Sequence, residues 1–180
     1  VRPTPGSMKS LKVADYEAIA KLDGVKAASP MTNGAYVVIY QNKNWTTSVS
    51  GVNANYLDVN NWSMKSGRFL SEKNVQNRER VAVVGKTVVK NLFGDENPVG
   101  AEIRVKNIPF RIIGVLNSKG SGAMGNDQDD MVIIPYTTAM ERVEGIDYLR
   151  MIYVVGKDEN GIDRLQSDIE NLLRVRHGIK

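Results

Sequence analysis

Arg80-Val81-Ala82-Val83-Val84-Gly85-Lys86-Thr87, continuing through Asn91-Leu92-Phe93-Gly94-Asp95-Glu96-Asn97-Pro98-Val99-Gly100 to Phe110-Arg111-Ile112-Ile113-Gly114-Val115-Leu116, decides how this chain folds. Val81 to Val84 is a short β-branched run, which predicts a buried strand. Val88, Val89 and Leu92 then recur at helical spacing and predict a helix over 86–93 with an apolar inner face, ended by Gly94. An acidic Gly-Pro turn follows. Beyond it, residues 101–106 and 109–117 read as a β-hairpin turned at Asn107-Ile108-Pro109.

Two glycine motifs invite a nucleotide-binding reading, and both fail on context. A P-loop needs glycine at both ends of a flexible loop so that backbone N–H groups converge on phosphate. Counting back from Gly85-Lys86-Thr87, the first glycine position holds Arg80, and the residues between are the strand itself. Gly120-Ser121-Gly122-Ala123-Met124-Gly125 matches the dinucleotide fingerprint, but no helix follows to face a pyrophosphate. Asn126-Asp127-Gln128-Asp129-Asp130 follows instead, and its three carboxylates would repel phosphate. That run is not an EF-hand loop, because Val132 and Thr138 stand where the invariant Gly and the bidentate Glu belong; clustered oxygens leave a loose hard-cation site as the alternative. Glycines without apolar anchors predict a mobile surface loop over 118–130, the least protected segment between the termini.

The 180 residues suffice for one ample domain or two small ones, and 42% hydrophobic with 24% charged residues is the composition of a folded globular protein. Cysteine is absent, which removes disulfides, thiol nucleophiles and thiolate metal sites together. His177 is the single histidine, so neither a His-based triad nor a histidine-rich zinc site can be assembled. A formal charge of +4 is modest and its lysines and arginines are dispersed, which argues against a nucleic-acid partner. The longest apolar runs, such as Ala35-Tyr36-Val37-Val38-Ile39-Tyr40, are strand length and well short of the ~20 residues a membrane helix needs. Asn44-Trp45-Thr46 and Asn61-Trp62-Ser63 fit the glycosylation pattern by chance; Trp45 and Trp62 read as packed aromatics, with a partner-anchoring role as the alternative.

Working outward, residues 1–10 are rich in Pro, Gly and Ser and read as a tether. A helix is expected over 15–22, then strands over 25–30, 35–40 after an Asn33-Gly34 turn, and 46–52. Asn53 is expected to cap a short helix over 53–59, and residues 66–70 read as loop. Downstream, strand 131–134 runs into Pro135 and a helix over 136–143; strand 149–156 and helix 161–175 close the pattern. The fold class is α+β.

In this order, Gly51-Val52-Asn53-Ala54-Asn55-Tyr56-Leu57, Gly67-Arg68-Phe69, Val81 to Gly85, Asn91 to Gly100 and Phe110 to Val115 resemble the landmarks of the MacB-like periplasmic core domain of ABC transporter permeases. The resemblance runs from about Leu11 to Ile179, and Asn171 to Ile179 is similar to the helix that leads into the family's second membrane segment. It implies a porter-like α/β subdomain built from both chain ends, residues 11–50 and 131–176, with a small α/β subdomain inserted over 51–130. Residues 1–10 would then be the tether from the first membrane helix and 177–180 the lead-in to the second.

The resemblance further implies a noncatalytic domain on the periplasmic or extracellular side of an inner-membrane exporter, binding no cofactor and no metal. Implied partners are a second permease subunit in a homodimer, an ABC ATPase that uses ATP in the cytoplasm, a periplasmic adaptor, and the membrane through flanking helices. Motion driven by ATP would pass through the domain to cargo or adaptor. Gly120, Ser121, Gly122, Met124, Asp127 and Asp129 are the candidate partner contacts. Two other classes stand beside this one: a free-standing periplasmic binding or adaptor protein, and an enzyme using paired carboxylates such as Asp127 and Asp129. Without membrane helices the domain is expected to be mainly monomeric.

Overall fold

The computed structural model describes residues 2–3, 11–120 and 127–178. In chain order its elements are β1 (Arg2–Pro3), α1 (Val13–Ala20), β2 (Val25–Tyr40), β3 (Lys43–Val52), α2 (Tyr56–Val59), β4 (Met64–Gly67), α3 (Glu72–Gln76), β5 (Val81–Val84) and α4 (Lys86–Leu92). Then come β6 (Glu102–Val105), β7 (Ile108–Leu116), β8 (Met131–Pro135), α5 (Tyr136–Thr138), a π-helical segment Ala139–Glu144, β9 (Met151–Gly156), a 3₁₀ turn Glu159–Gly161 and α6 (Ile162–Arg176).

Strand pairing closes on itself. β2 pairs with β3, β3 with β8, β8 with β5, β5 with β7, β7 with β6, and β6 returns to β2 through Val38↔Val105 and Ile39↔Arg104, which makes a six-stranded barrel. Period-two alternation sends one set of side chains inward. Val38, Val49, Ala82, Val84, Ile103, Val105, Phe110, Ile112, Val132 and Ile134 fill the interior, joined by Val88 and Leu92 of α4 and by Ala139 and Val143 of the π-helical segment. The opposite parity is apolar as well where it is covered: Val81, Val83, Ile113, Met131 and Ile133 pack outside the barrel against Tyr56, Trp62 and Leu70. That double burial explains why β5 and β8 read as continuous hydrophobic runs rather than alternating ones.

Beside the barrel, the first half of β2 pairs antiparallel with β9, and β9 with β1. Arg2 and Pro3, within the expected tether, thus pair with Val154 and Tyr153. α6 turns Leu165, Ile169 and Leu173, one helical face, onto this side sheet, where they meet Ile19 of α1, Ala28, Leu149, Ile152 and Val154. Each such buried side chain contributes about 1.5–3 kcal/mol, so this cluster from both chain ends holds α1 and α6 in place.

Five local expectations are corrected. The Asn33-Gly34 turn does not form: β2 runs straight through it, because the Asn33 side chain donates to Ser48 Oγ at 2.8 Å and Ser50 Oγ at 2.9 Å across the ladder. The chain reverses instead at Gln41, whose φ is +53°, between the paired Tyr40 and Lys43. The second hairpin turns at Lys106-Asn107, with φ of +49° and +65°, the two-residue geometry that matches strand twist, so Ile108 and Pro109 lie in β7. Ser66 and Gly67 belong to β4 rather than to a loop. Finally, the helix over 136–143 widens to π geometry at Ala139 and stops at Gly145, φ +62°. Its seat on the barrel requires a glycine beneath it, since a Cβ on Gly51 would fall 2.6 Å from the Ala139 Cβ and 2.5 Å from Thr32 Oγ1. Helix α2 is shorter than expected, beginning at Tyr56, and Asn53 lies buried ahead of it, accepting from Asn55 N and donating to Ala28 O and Tyr16 Oη.

Helix α3 had no sequence assignment. Ser71 Oγ accepts from Asn74 N at 3.1 Å while Asn74 Oδ1 accepts from Ser71 N at 2.9 Å, a reciprocal cap in which Asn stands where Glu or Gln would signal it.

Candidate functional site

The Gly85-Lys86-Thr87 turn is filled by protein. The N–H of Gly85 donates to Met131 O at 3.0 Å and that of Thr87 to Asp129 O at 3.2 Å, so two of the N–H donors of this turn are engaged by the protein itself. The hydrogen-side face of Gly85 is pressed against the Asp129 carbonyl; an added Cβ would stand 2.9 Å from its carbon and closer to its oxygen. Gly85 is a glycine because two backbones meet there.

All three carboxylates of the acidic run bind the chain's own groups. Asp127 accepts from Thr87 Oγ1 at 2.5 Å and from the N–H of Asp129 at 2.9 Å. Asp129 is 4% exposed, and its oxygens accept from Ser118 Oγ at 2.6 Å, Lys119 N at 2.8 Å and Gly120 N at 3.1 Å. Burial alone would raise its pKa; those hydrogen bonds and the nearby Lys86 outweigh it and hold the carboxyl below its ordinary value. Lys86, the would-be phosphate lysine, therefore balances a buried carboxylate. Asp130 accepts from Trp45 Nε1 at 2.8 Å and Thr47 Oγ1 at 2.6 Å. On the other side, Lys119 donates to Asn60 O and sits 4.3 Å from the centre of the Trp62 ring.

Among the candidate contact residues, Ser121, Gly122 and Met124 lie outside the described residues. Gly120 lies at the edge of the clamped base and adopts φ +74°. Asp127 is exposed. Asp129 is a buried carboxylate whose two oxygens accept internal hydrogen bonds and hold residues 118–120. The described parts of the expected mobile segment, 118–120 and 127–130, are thus anchored on β3, α4 and the Trp62 region. Among the described residues no three His, Cys, Asp or Glu side chains are arranged to hold a metal ion. Trp62 is a packed aromatic at 8% exposure, and Trp45 is half-buried against the barrel core.

A second constellation was invisible in the sequence because its members are far apart. Asp15, in the first turn of α1, has a side chain only 3% exposed. It accepts from Lys12 N at 2.9 Å, from Arg176 Nε at 2.7 Å and from His177 Nε2 at 2.9 Å. Burial opposes its ionisation, yet the Arg176 and Lys12 hydrogen bonds and the His177 interaction prevail and lower its pKa. Acidic residues in a first helical turn and basic ones in a last turn are ordinary dipole complements, so neither flagged the other.

The chain belongs to the MacB-like periplasmic core domain family, whose model matches residues 1–172. It is 41% identical over 99% of its length to a macrolide export ATP-binding/permease protein MacB of Rhodospirillum rubrum, and 36% identical over 97% to the MacB of Marinobacter nauticus. It spans only 28% and 27% of those relatives. Its fold superposes on the periplasmic region of MacB from Actinobacillus actinomycetemcomitans with a TM-score of 0.86 at 26% identity, covering 98% of this chain and 82% of that one. The extracellular domain of the Gram-positive ABC-type transporter YknZ shares the fold alone, with a TM-score of 0.85 at 20% identity over 99% of this chain and 93% of that one. The domain is accordingly a noncatalytic, periplasmic part of an inner-membrane ABC transporter permease. No helix among the described residues is long and apolar enough to cross a membrane.

Proposed function

We propose that this domain relays ATP-driven movement of membrane helices to exported cargo or to a periplasmic adaptor, binding no nucleotide or other cofactor itself. In this reading it works in a homodimer of permease subunits, with helices flanking the domain in the membrane and an ABC ATPase, fused or separate, in the cytoplasm. The observation that carries it is the joining of both chain ends, α1 and α6, in one apolar cluster on the side sheet. A domain moved from its two ends needs those ends fixed to a common body. The rigid barrel would carry that movement onward, with the surface around Gly120 and Asp127 as its contact region. Two units are proposed within the domain: residues 11–50 with 131–176, and 51–130, joined through the β8–β5 and β2–β6 pairs.

The test replaces residues 11–176 by a flexible linker in the full-length permease, with ATPase activity and export measured on the same preparation. Hydrolysis should persist while export is lost. Wild-type export without the domain would refute the proposal.

A further inference from the structure

The start of α1 and the end of α6 meet at one buried carboxylate, Asp15. The N-terminal side is fastened around α1: Leu149 N donates to Leu11 O at 2.7 Å, Lys12 Nζ pairs with Asp147 at 3.1 Å, and Lys12 N donates to Asp15. The C-terminal side has a weaker hold of its own. Leu173 is the last buried residue of α6, and beyond it Arg174 and Val175 are exposed, Val175 to 80%. A helix end with no apolar contact frays easily. Here the last turn is held instead by Arg176 and His177, which close on Asp15 across 161 and 162 positions of sequence.

We infer that Asp15, Arg176 and His177 form a clasp that locks the end of α6 to the start of α1, so that both ends of the domain move as one body. The inference rests on the proposed relay and adds the joint through which that relay enters the domain. Three features favour a joint over a surface ion pair. The carboxylate is buried, so it has no water to fall back on when a partner leaves. Its bonds are charge-assisted and short, and they converge from two directions. Arg176 also sits at the negative end of the α6 dipole, which holds a cation in that place independently of Asp15. Unclasped, α6 would be firmly attached only as far as Leu173, and displacement beyond that point would unwind the last turn instead of moving α1.

The test uses Asp15→Asn and, in case that variant fails to fold, the double exchange Arg176→Gln with His177→Gln, whose side chains lie nearer the surface. Hydrogen exchange on the 180-residue chain should show amides of residues 173–178 and 13–18 opening about tenfold faster or more in either variant, with barrel amides such as Val84 and Val132 unchanged. In the full-length permease the same variants should keep ATP hydrolysis and lose most export. Exchange within about twofold of wild type would overturn the clasp, on the resolution normally needed to assign local opening. Faster exchange with undiminished export would also overturn it as a joint, while leaving the relay standing. Only the linker replacement described above bears on the relay itself.

Discussion

Replacing Gly85 by Ala separates a close backbone approach from a phosphate-binding glycine. Gly85 has φ −85°, which alanine adopts freely, so any loss must come from space and not from backbone strain. The new Cβ would stand 2.9 Å from the Asp129 carbonyl carbon and closer still to its oxygen, whereas carbon–oxygen contacts settle at about 3.3–3.6 Å, so β8's lead-in must retreat by roughly 1 Å. That retreat breaks Thr87 N–H to Asp129 O and stretches Gly85 N–H to Met131 O. Buried groups left unpaired cost about 1–3 kcal/mol each. Reduced freedom of the unfolded chain returns about 0.4–1 kcal/mol. The net expectation is a loss of about 2–4 kcal/mol, or a fall in Tm of roughly 5–15 °C for a chain of this size. Urea and thermal unfolding followed by circular dichroism measure it. Gly161→Ala is the control, because its Cβ would meet only Asp158 Cβ at 4.0 Å. A Gly85→Ala variant within about 0.5 kcal/mol of wild type, the range of an ordinary surface exchange, would refute the close-approach argument.

Asp130→Ala leaves Trp45 Nε1 and the buried Thr47 hydroxyl without their acceptor, so stability should fall by about 1–3 kcal/mol with a change in Trp45 emission; unchanged unfolding would show that the carboxylate is dispensable. Asp15 has a folded pKa below its ordinary value, so its contribution is complete above that ordinary value and disappears as pH falls through the folded one. Acid titration of stability should therefore be shallower in Asp15→Asn than in wild type below about pH 4, and parallel curves would contradict the assignment. Isothermal calorimetry with ATP or GTP should give no saturable heat, since the Gly85 and Thr87 N–H groups are already donated; binding abolished by Lys86→Ala would reverse that conclusion.

What the sequence disclosed followed the range of each interaction. β5, α4, β8 and α6 are legible because their signals, a β-branched run or apolar residues three and four apart, lie within one element. The continuity of β2 is not, because Asn33-Gly34 is held straight by Ser48 and Ser50, which only the folded ladder places opposite. Barrel closure rests on two residue pairs between β2 and β6, and no periodicity announces it. In the acidic run, three carboxylates argue against phosphate and Val132 and Thr138 against an EF-hand loop, yet neither pattern shows that Asp127, Asp129 and Asp130 each bind a different part of the fold. The Asp15 clasp joins the two ends of the chain, beyond any local pattern.

The relay is tested most directly by watching the domain while the ATPase works. The chain has no cysteine, so Asn42→Cys at the exposed β2–β3 turn gives this domain a single spin label. In the full-length permease, the distance between the labels of the two subunits is measured by pulsed electron resonance without nucleotide and with ATP trapped at the ATPase. The relay predicts two distinct distance distributions; superimposable distributions in a transporter that exports would contradict it.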